Sequence, residues 1–344
     1  MATTYAIPNG RTVMDATTYT GTGATNSIVN SDLGSTGFKP DLVWVKSRSA
    51  ATDNKLTDSV RGATKAVISN STAAETTDTN GLTAFNTNGF TLGTDTTYNN
   101  SGATYVGWQW QAGQGVTSSN TNGSVTSTVS VNSTAGFSIA TCTTPATNTN
   151  FTVGHGLSAA PAFIIVKNRT STNNWTIYHQ STGATGYLLF TTAAFTTNSD
   201  TWANTAPTST VWSSNTPNWW TTNQNLVAYS WIPVAGFSQF GSYTGNGSAD
   251  GPFVYTGFRP KFVMIKRTDS SAYWLILDSS RNTYNVVNLD LFPNDPLVEQ
   301  TNTRCDFVSN GFKIREISAT TNGSGASYIY AAFAENPFKY ANAR

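Results

Sequence analysis

Three short apolar runs punctuate the chain, each opened by proline and closed by lysine. They are Pro40-Asp41-Leu42-Val43-Trp44-Val45-Lys46, Pro161-Ala162-Phe163-Ile164-Ile165-Val166-Lys167 and Pro260-Lys261-Phe262-Val263-Met264-Ile265-Lys266. Four consecutive apolar residues without alternation predict a strand buried on both faces. Proline is tolerated there because the first residue of a strand need not donate to the ladder. Aromatic-rich strands follow further on: Tyr105 to Trp110, Leu226 to Trp231 and Tyr328 to Phe333. In the first of these, Val106, Trp108 and Trp110 alternate and share one face. No segment sustains a 3.6-residue period. The best helical candidate, Gly62 to Ile68, is too short to carry an assignment.

The runs belong to an internal repeat. Twelve residues after each lysine stands Asp58, His179 or Asp278. The outer two continue as Asp58-Ser59-Val60-Arg61 and Asp278-Ser279-Ser280-Arg281, whereas the middle one reads His179-Gln180-Ser181-Thr182. Asn88-Gly89-Phe90 pairs with Asn310-Gly311-Phe312, and Tyr19-Thr20-Gly21 with Tyr243-Thr244-Gly245. From proline to the last aromatic the distance is 70, 70 and 73 residues. A lead strand precedes each proline, as at Gly136-Phe137 and Gly236-Phe237. The expected fold is all-β: three tandem β-sandwich-like modules at 1–113, 135–235 and 236–344. Residues 114–134, rich in Ser, Thr and Asn, read as a linker ending in a strand.

Composition narrows the function more than the fold. About one residue in six is Thr, and aromatics make up 12%. Charged residues reach only 11%, against about 25% in ordinary soluble domains. Ten Trp, 14 Tyr and 18 Phe supply ample surface for burial, so the chain folds rather than staying disordered. Nineteen basic against 18 acidic residues leave a net charge of +1, which gives no footprint for nucleic acid. No apolar run approaches the roughly 18 residues of a membrane span. Met1 to Tyr5 lack the basic and apolar regions of a secretory signal, and none is expected. Cys142 and Cys305 lie far apart and read as buried thiols rather than a disulfide or zinc site.

Catalytic chemistry is sparse. His155 lies between glycines in a turn, and neither histidine has a nameable nucleophile and orienting acid. No nucleophile elbow, phosphate loop or EF-hand spacing is present. Calcium held by loop aspartates and carbonyls stays open. Asp58 and Asp278 recur, but in different modules, so they are read as structural, bonding nearby N–H groups or Arg61 and Arg281. Lys46, Lys167 and Lys266 end buried strands and are expected to snorkel to water. Trp202, Trp212, Trp219 and Trp220 crowd one Asn- and Thr-rich stretch. They suit either a sugar-binding patch, since Trp faces stack on sugar C–H faces, or a core or interface. The expectation is a protein without catalytic residues, metal or cofactor.

These residues resemble the repeated β-rich modules of tailed-bacteriophage virion proteins, notably marine and cyanobacterial ones. The likeness rests on Gly37 to Arg48, Asp58 to Gly62, Asn88 to Gly93 and Tyr105 to Trp110. It continues at Gly154 to Leu157, Pro161 to Lys167, Asn174-Trp175 and Tyr243 to Gly247. It covers most of the chain and brings no catalytic residue. It implies a non-enzymatic structural protein at the virion surface, assembled in the host cytoplasm. The leading expectation is a short tail fibre or host-recognition appendage. It would be a homotrimer contacting other virion proteins and a host cell-surface glycan. A capsid or neck decoration protein is the alternative, and a polysaccharide depolymerase a third reading.

Overall fold

The computed structural model describes residues 5–30, 37–216 and 219–335. Met1 to Thr4, read above for a secretory signal, and residues 336–344 of the last segment lie outside the described residues. The chain is all-β, with 44% strand against 2% helix. Thr96–Asn99 forms the α-helical turn, capped by Asp95, whose side chain accepts from the Thr97 N–H. Gly62 to Ile68 is not helical; Lys65–Ile68 is a strand.

Three large antiparallel sheets share one strand order. Each runs from a lead strand to the closing aromatic strand, then the proline-led strand, then the strand ending in Asp or His. In the first sheet these are Met14–Thr20, Thr104–Trp110, Leu42–Ser47 and Lys55–Asp58. In the second they are Phe137–Thr143, Asn225–Trp231, Phe163–Asn168 and Thr176–His179. In the third they are Ser238–Thr244, Ser327–Ala334, Pro260–Arg267 and Trp274–Asp278. The closing strand, late in sequence, thus inserts between two earlier ones. Within 114–134, Ser118–Asn120 and Ser127–Asn132 are strands that extend the second sheet beyond its lead strand.

A second sheet covers the outer face of each: three strands on the first, two on the second and four on the third. In the first and third, the Asn-Gly turn leads into a strand paired closely with its neighbour. A Cβ at Gly89 or Gly311 would overlap the Ile28 or Val254 carbonyl, which requires glycine. The proline-led strands are buried on both faces, as uninterrupted apolar runs predict. On the first, Val43 and Val45 face the outer layer, among Phe90, Leu92 and Tyr105. Leu42 and Trp44 face the other way, into a core shared with the second and third sheets. The last aromatic of each closing strand meets the other two there. Ring centroids of Trp110 and Trp231 lie 6.0 Å apart, Trp110 and Phe333 5.7 Å, and Trp231 and Phe333 6.4 Å.

Candidate functional site

The recurring polar residues sit where the sheets meet. Asp58 ends its strand and turns back on the chain: its Oδ1 accepts from the Val60 and Arg61 N–H groups. Its Oδ2 accepts from Arg61 Nε at 2.5 Å and, from the second sheet, the Tyr229 hydroxyl at 2.7 Å. Arg61 reaches on to Glu75, which also takes the Arg169 guanidinium. Between the third sheet and the first the set recurs. Asp278 Oδ2 accepts from Arg281 Nε at 2.6 Å and from Trp108 Nε1 at 3.0 Å. Arg281 bonds Glu299, which takes Arg48. The Asp and Arg side chains of both pairs are wholly buried. Burial alone would raise the Asp278 carboxyl, but Arg281 and Trp108 outweigh it and hold it low.

Between the second and third sheets the corresponding residues are all uncharged. His179 stands for Asp and Thr182 for Arg. Phe195 takes the place of Glu, its N–H bonding the Thr268 carbonyl as Glu75 bonds that of Arg169 and Glu299 that of Arg48. His179 Nδ1 accepts from the Ser181 N–H, so Nε2 carries the hydrogen and donates to the Tyr330 carbonyl at 3.1 Å. Burial brings this imidazole down to about 4.

The lysines depart from expectation. Lys46, Lys167 and Lys266 do not snorkel; all are fully buried. Each Nζ donates to the carbonyl six residues on, Thr52, Asn173 or Ala272. Each also donates to a carbonyl of another segment: Pro296, Thr72 or Thr192 respectively. The reason is the neighbouring loop, which seals the strand end and replaces water with its own acceptors. Burial lowers all three to about 8. Pro40, Pro161 and Pro260 are buried at the starts of the same runs. A further contact was not anticipated. Eight residues after each lysine, Asn54, Trp175 and Trp274 donate side-chain N–H groups to the Phe292, Ile68 and Leu189 carbonyls. Aligning the three runs over those extra positions would have exposed it.

Of the two readings of the tryptophan cluster, the core one holds for three of the four residues and the sugar-binding one is overturned for them. Trp202, Trp212 and Trp220 are at most 1% exposed and fill the core between the second large sheet and its outer layer. Trp219 is partly buried against that core, with Tyr187 at 4.3 Å, and its Nε1 donates to Thr176. No ligand can stack on Trp202, Trp212 or Trp220, whose rings are enclosed. The density of Trp reflects a core in which these rings pack with Phe151, Tyr178, Val153, Ile164, Val166 and Leu226.

The loops that receive the lysines surround an open pocket of about 270 Å³. The first segment contributes 69–72, the second Asn174, Trp175 and 190–192, and the third Tyr273, Asn294 and Asp295. Phe190 forms its apolar wall, braced by Trp44, Trp175 and Trp274 at 5.3–5.8 Å. Among the described residues, no group of three or more His, Cys, Asp or Glu is placed to hold a metal.

The sequence profile of a domain of unknown function, DUF7483, matches residues 10–337. The chain belongs to that family. No curated protein and no solved structure matches it. All three junctions between sheets and the pocket fall inside the DUF7483 span.

Proposed function

We propose that this DUF7483 protein is a non-enzymatic structural component of a bacteriophage particle surface, a short tail fibre or host-recognition appendage. In this reading it is three copies of one β-unit closed head to tail into a ring. One observation carries the structural role. The recurring Asp, Arg, Lys and His side chains are spent on joining the sheets, which removes them as candidates for catalysis. The viral setting rests on the sequence resemblance, and the low charge with abundant Thr and Asn suits a particle exposed to changing salt. A homotrimer contacting other virion proteins and a host glycan goes with that reading.

The decoration-protein alternative draws on the ring itself. In that reading the three sheets of like strand order sit round an axis, the shape a threefold position on a shell accepts without trimerisation. Quantitative mass spectrometry of purified particles, set against the major capsid protein, separates the two. A few to some tens of copies supports the appendage. Hundreds of copies, scaling with the shell, makes it a decoration protein. Absence from particles removes both readings.

A further inference from the structure

We infer that the pocket where the three segments converge binds a neutral carbohydrate, one sugar unit at a time. Its lining couples aromatic surface to uncharged hydrogen-bonding groups. Tyr273, 36% exposed, is the accessible ring, and Phe190 and Trp175 also line the pocket. Flat aromatic faces match the C–H faces of a pyranose. Asn174, Asn294, Thr191 and Thr192 supply amides and hydroxyls, which donate and accept as sugar hydroxyls do. Asn294 is already oriented, because its Oδ1 accepts from the Trp274 N–H at 2.8 Å; its NH₂ is the donor left to the pocket.

Charge and size define the ligand further. No Lys, Arg or His is among the lining residues, and Asp295 is the one carboxylate there. The three buried lysines behind the loops aim at main-chain carbonyls instead. An anionic sugar or phosphate would therefore meet a carboxylate and no cation. About 270 Å³ is below the roughly 300–1,000 Å³ of drug-sized sites, so a single ring fits while its chain continues through the open mouth. The biological role of this site rests on the host-recognition reading; the binding does not.

Saturation-transfer NMR on the intact protein tests it. The probes are methyl glycosides of neutral hexoses and N-acetylhexosamines, with methyl glucuronide as the anionic counterpart. At least one neutral glycoside should receive saturation, and the glucuronide should bind more weakly. Tyr273→Ala and Asn174→Ala should each weaken binding tenfold or more at an unchanged melting midpoint. Tyr284→Ala, at an 83% exposed tyrosine outside the lining, should not. The inference fails if no neutral glycoside binds, if binding survives both pocket substitutions, or if the glucuronide binds more tightly. If Tyr273→Ala does not fold, Asn174→Ala decides. The isolated protein is used, so failure here leaves the virion reading to the particle count, and the converse holds.

Discussion

His179 donates to the Tyr330 carbonyl at 3.1 Å, at the position where Asp58 and Asp278 accept from Tyr229 and Trp108. The exchange follows from what the facing strand offers. Tyr229 and Trp108 carry side-chain donors; the equivalent residue of the third closing strand is Ala331, which carries none. A carboxylate there would face a carbonyl oxygen. His179→Asp should therefore cost about 3–5 kcal/mol, the scale of an uncompensated buried charge. Adding Thr182→Arg should recover much of it by rebuilding the pair seen at Asp58–Arg61. Urea denaturation of the single and double variants reads this directly. An unperturbed His179→Asp protein would refute the donor-matching argument.

Both histidines are buried neutral. His155 repeats the pattern, accepting from the Leu157 N–H at Nδ1 and meeting the Thr208 carbonyl at Nε2. Burial lowers each to about 4 from an unfolded value near 6.5. Between those values the unfolded chain binds more protons than the folded one. Stability is therefore full above pH 6.5 and falls as pH drops through 6.5 towards 4, by at most roughly 3 kcal/mol per histidine. Denaturation midpoints at pH 7.0 and 5.5 should differ, and the difference should shrink in the His155→Gln and His179→Gln proteins. A flat profile in the native sequence would show that the imidazoles are reached by water.

The lysines give a trend of the same sign on the alkaline side. Each Nζ has two carbonyl partners, and a neutral amine has two N–H groups to match them. With folded values of about 8 and an unfolded value of 10.5, the unfolded chain holds more protons in between. Stability should rise as pH increases from 8 to 9, before tyrosine and thiol ionisation of the unfolded chain opposes it. Lys167→Met should abolish its share of the rise. It should also cost about 1–3 kcal/mol for each carbonyl left without a donor, less the relief of removing a buried charge. A midpoint that falls steadily above pH 8 would overturn this.

Much of this was legible from particular residues. Uninterrupted runs such as Phe163 to Val166 announced strands buried on both faces, and the Val106, Trp108, Trp110 alternation placed one side of the closing strand. What the sequence could not show was whether the strand ends were sealed. A lysine after a buried run looks the same whether it reaches water or a neighbouring loop's carbonyl, because the acceptors lie up to 250 positions away. Trp202, Trp212 and Trp220 left two readings open for a related reason: aromatic density signals apolar surface, and only packing says whether that surface is covered. The pocket left no local signal, since its walls come from three distant segments.

The shared core makes the strongest claim on folding. Trp110, Trp231 and Phe333 belong to three different sheets, yet each ring lies within 6.4 Å of the other two. The third segment also turns Phe262 and Met264 into that common core. Cutting it out would strip one wall from each of these side chains and expose them to water. Residues 236–344 expressed alone should therefore show no cooperative unfolding, although their strand pattern is that of a sandwich. The whole chain should melt in one calorimetric transition, with van't Hoff and calorimetric enthalpies in agreement. Trp231→Ala, by opening a cavity where all three sheets touch, should lower the stability of that single transition by about 3–5 kcal/mol. Separate transitions, or a well-folded third segment, would mean that the sheets are independent bodies and that the contacts joining them contribute little.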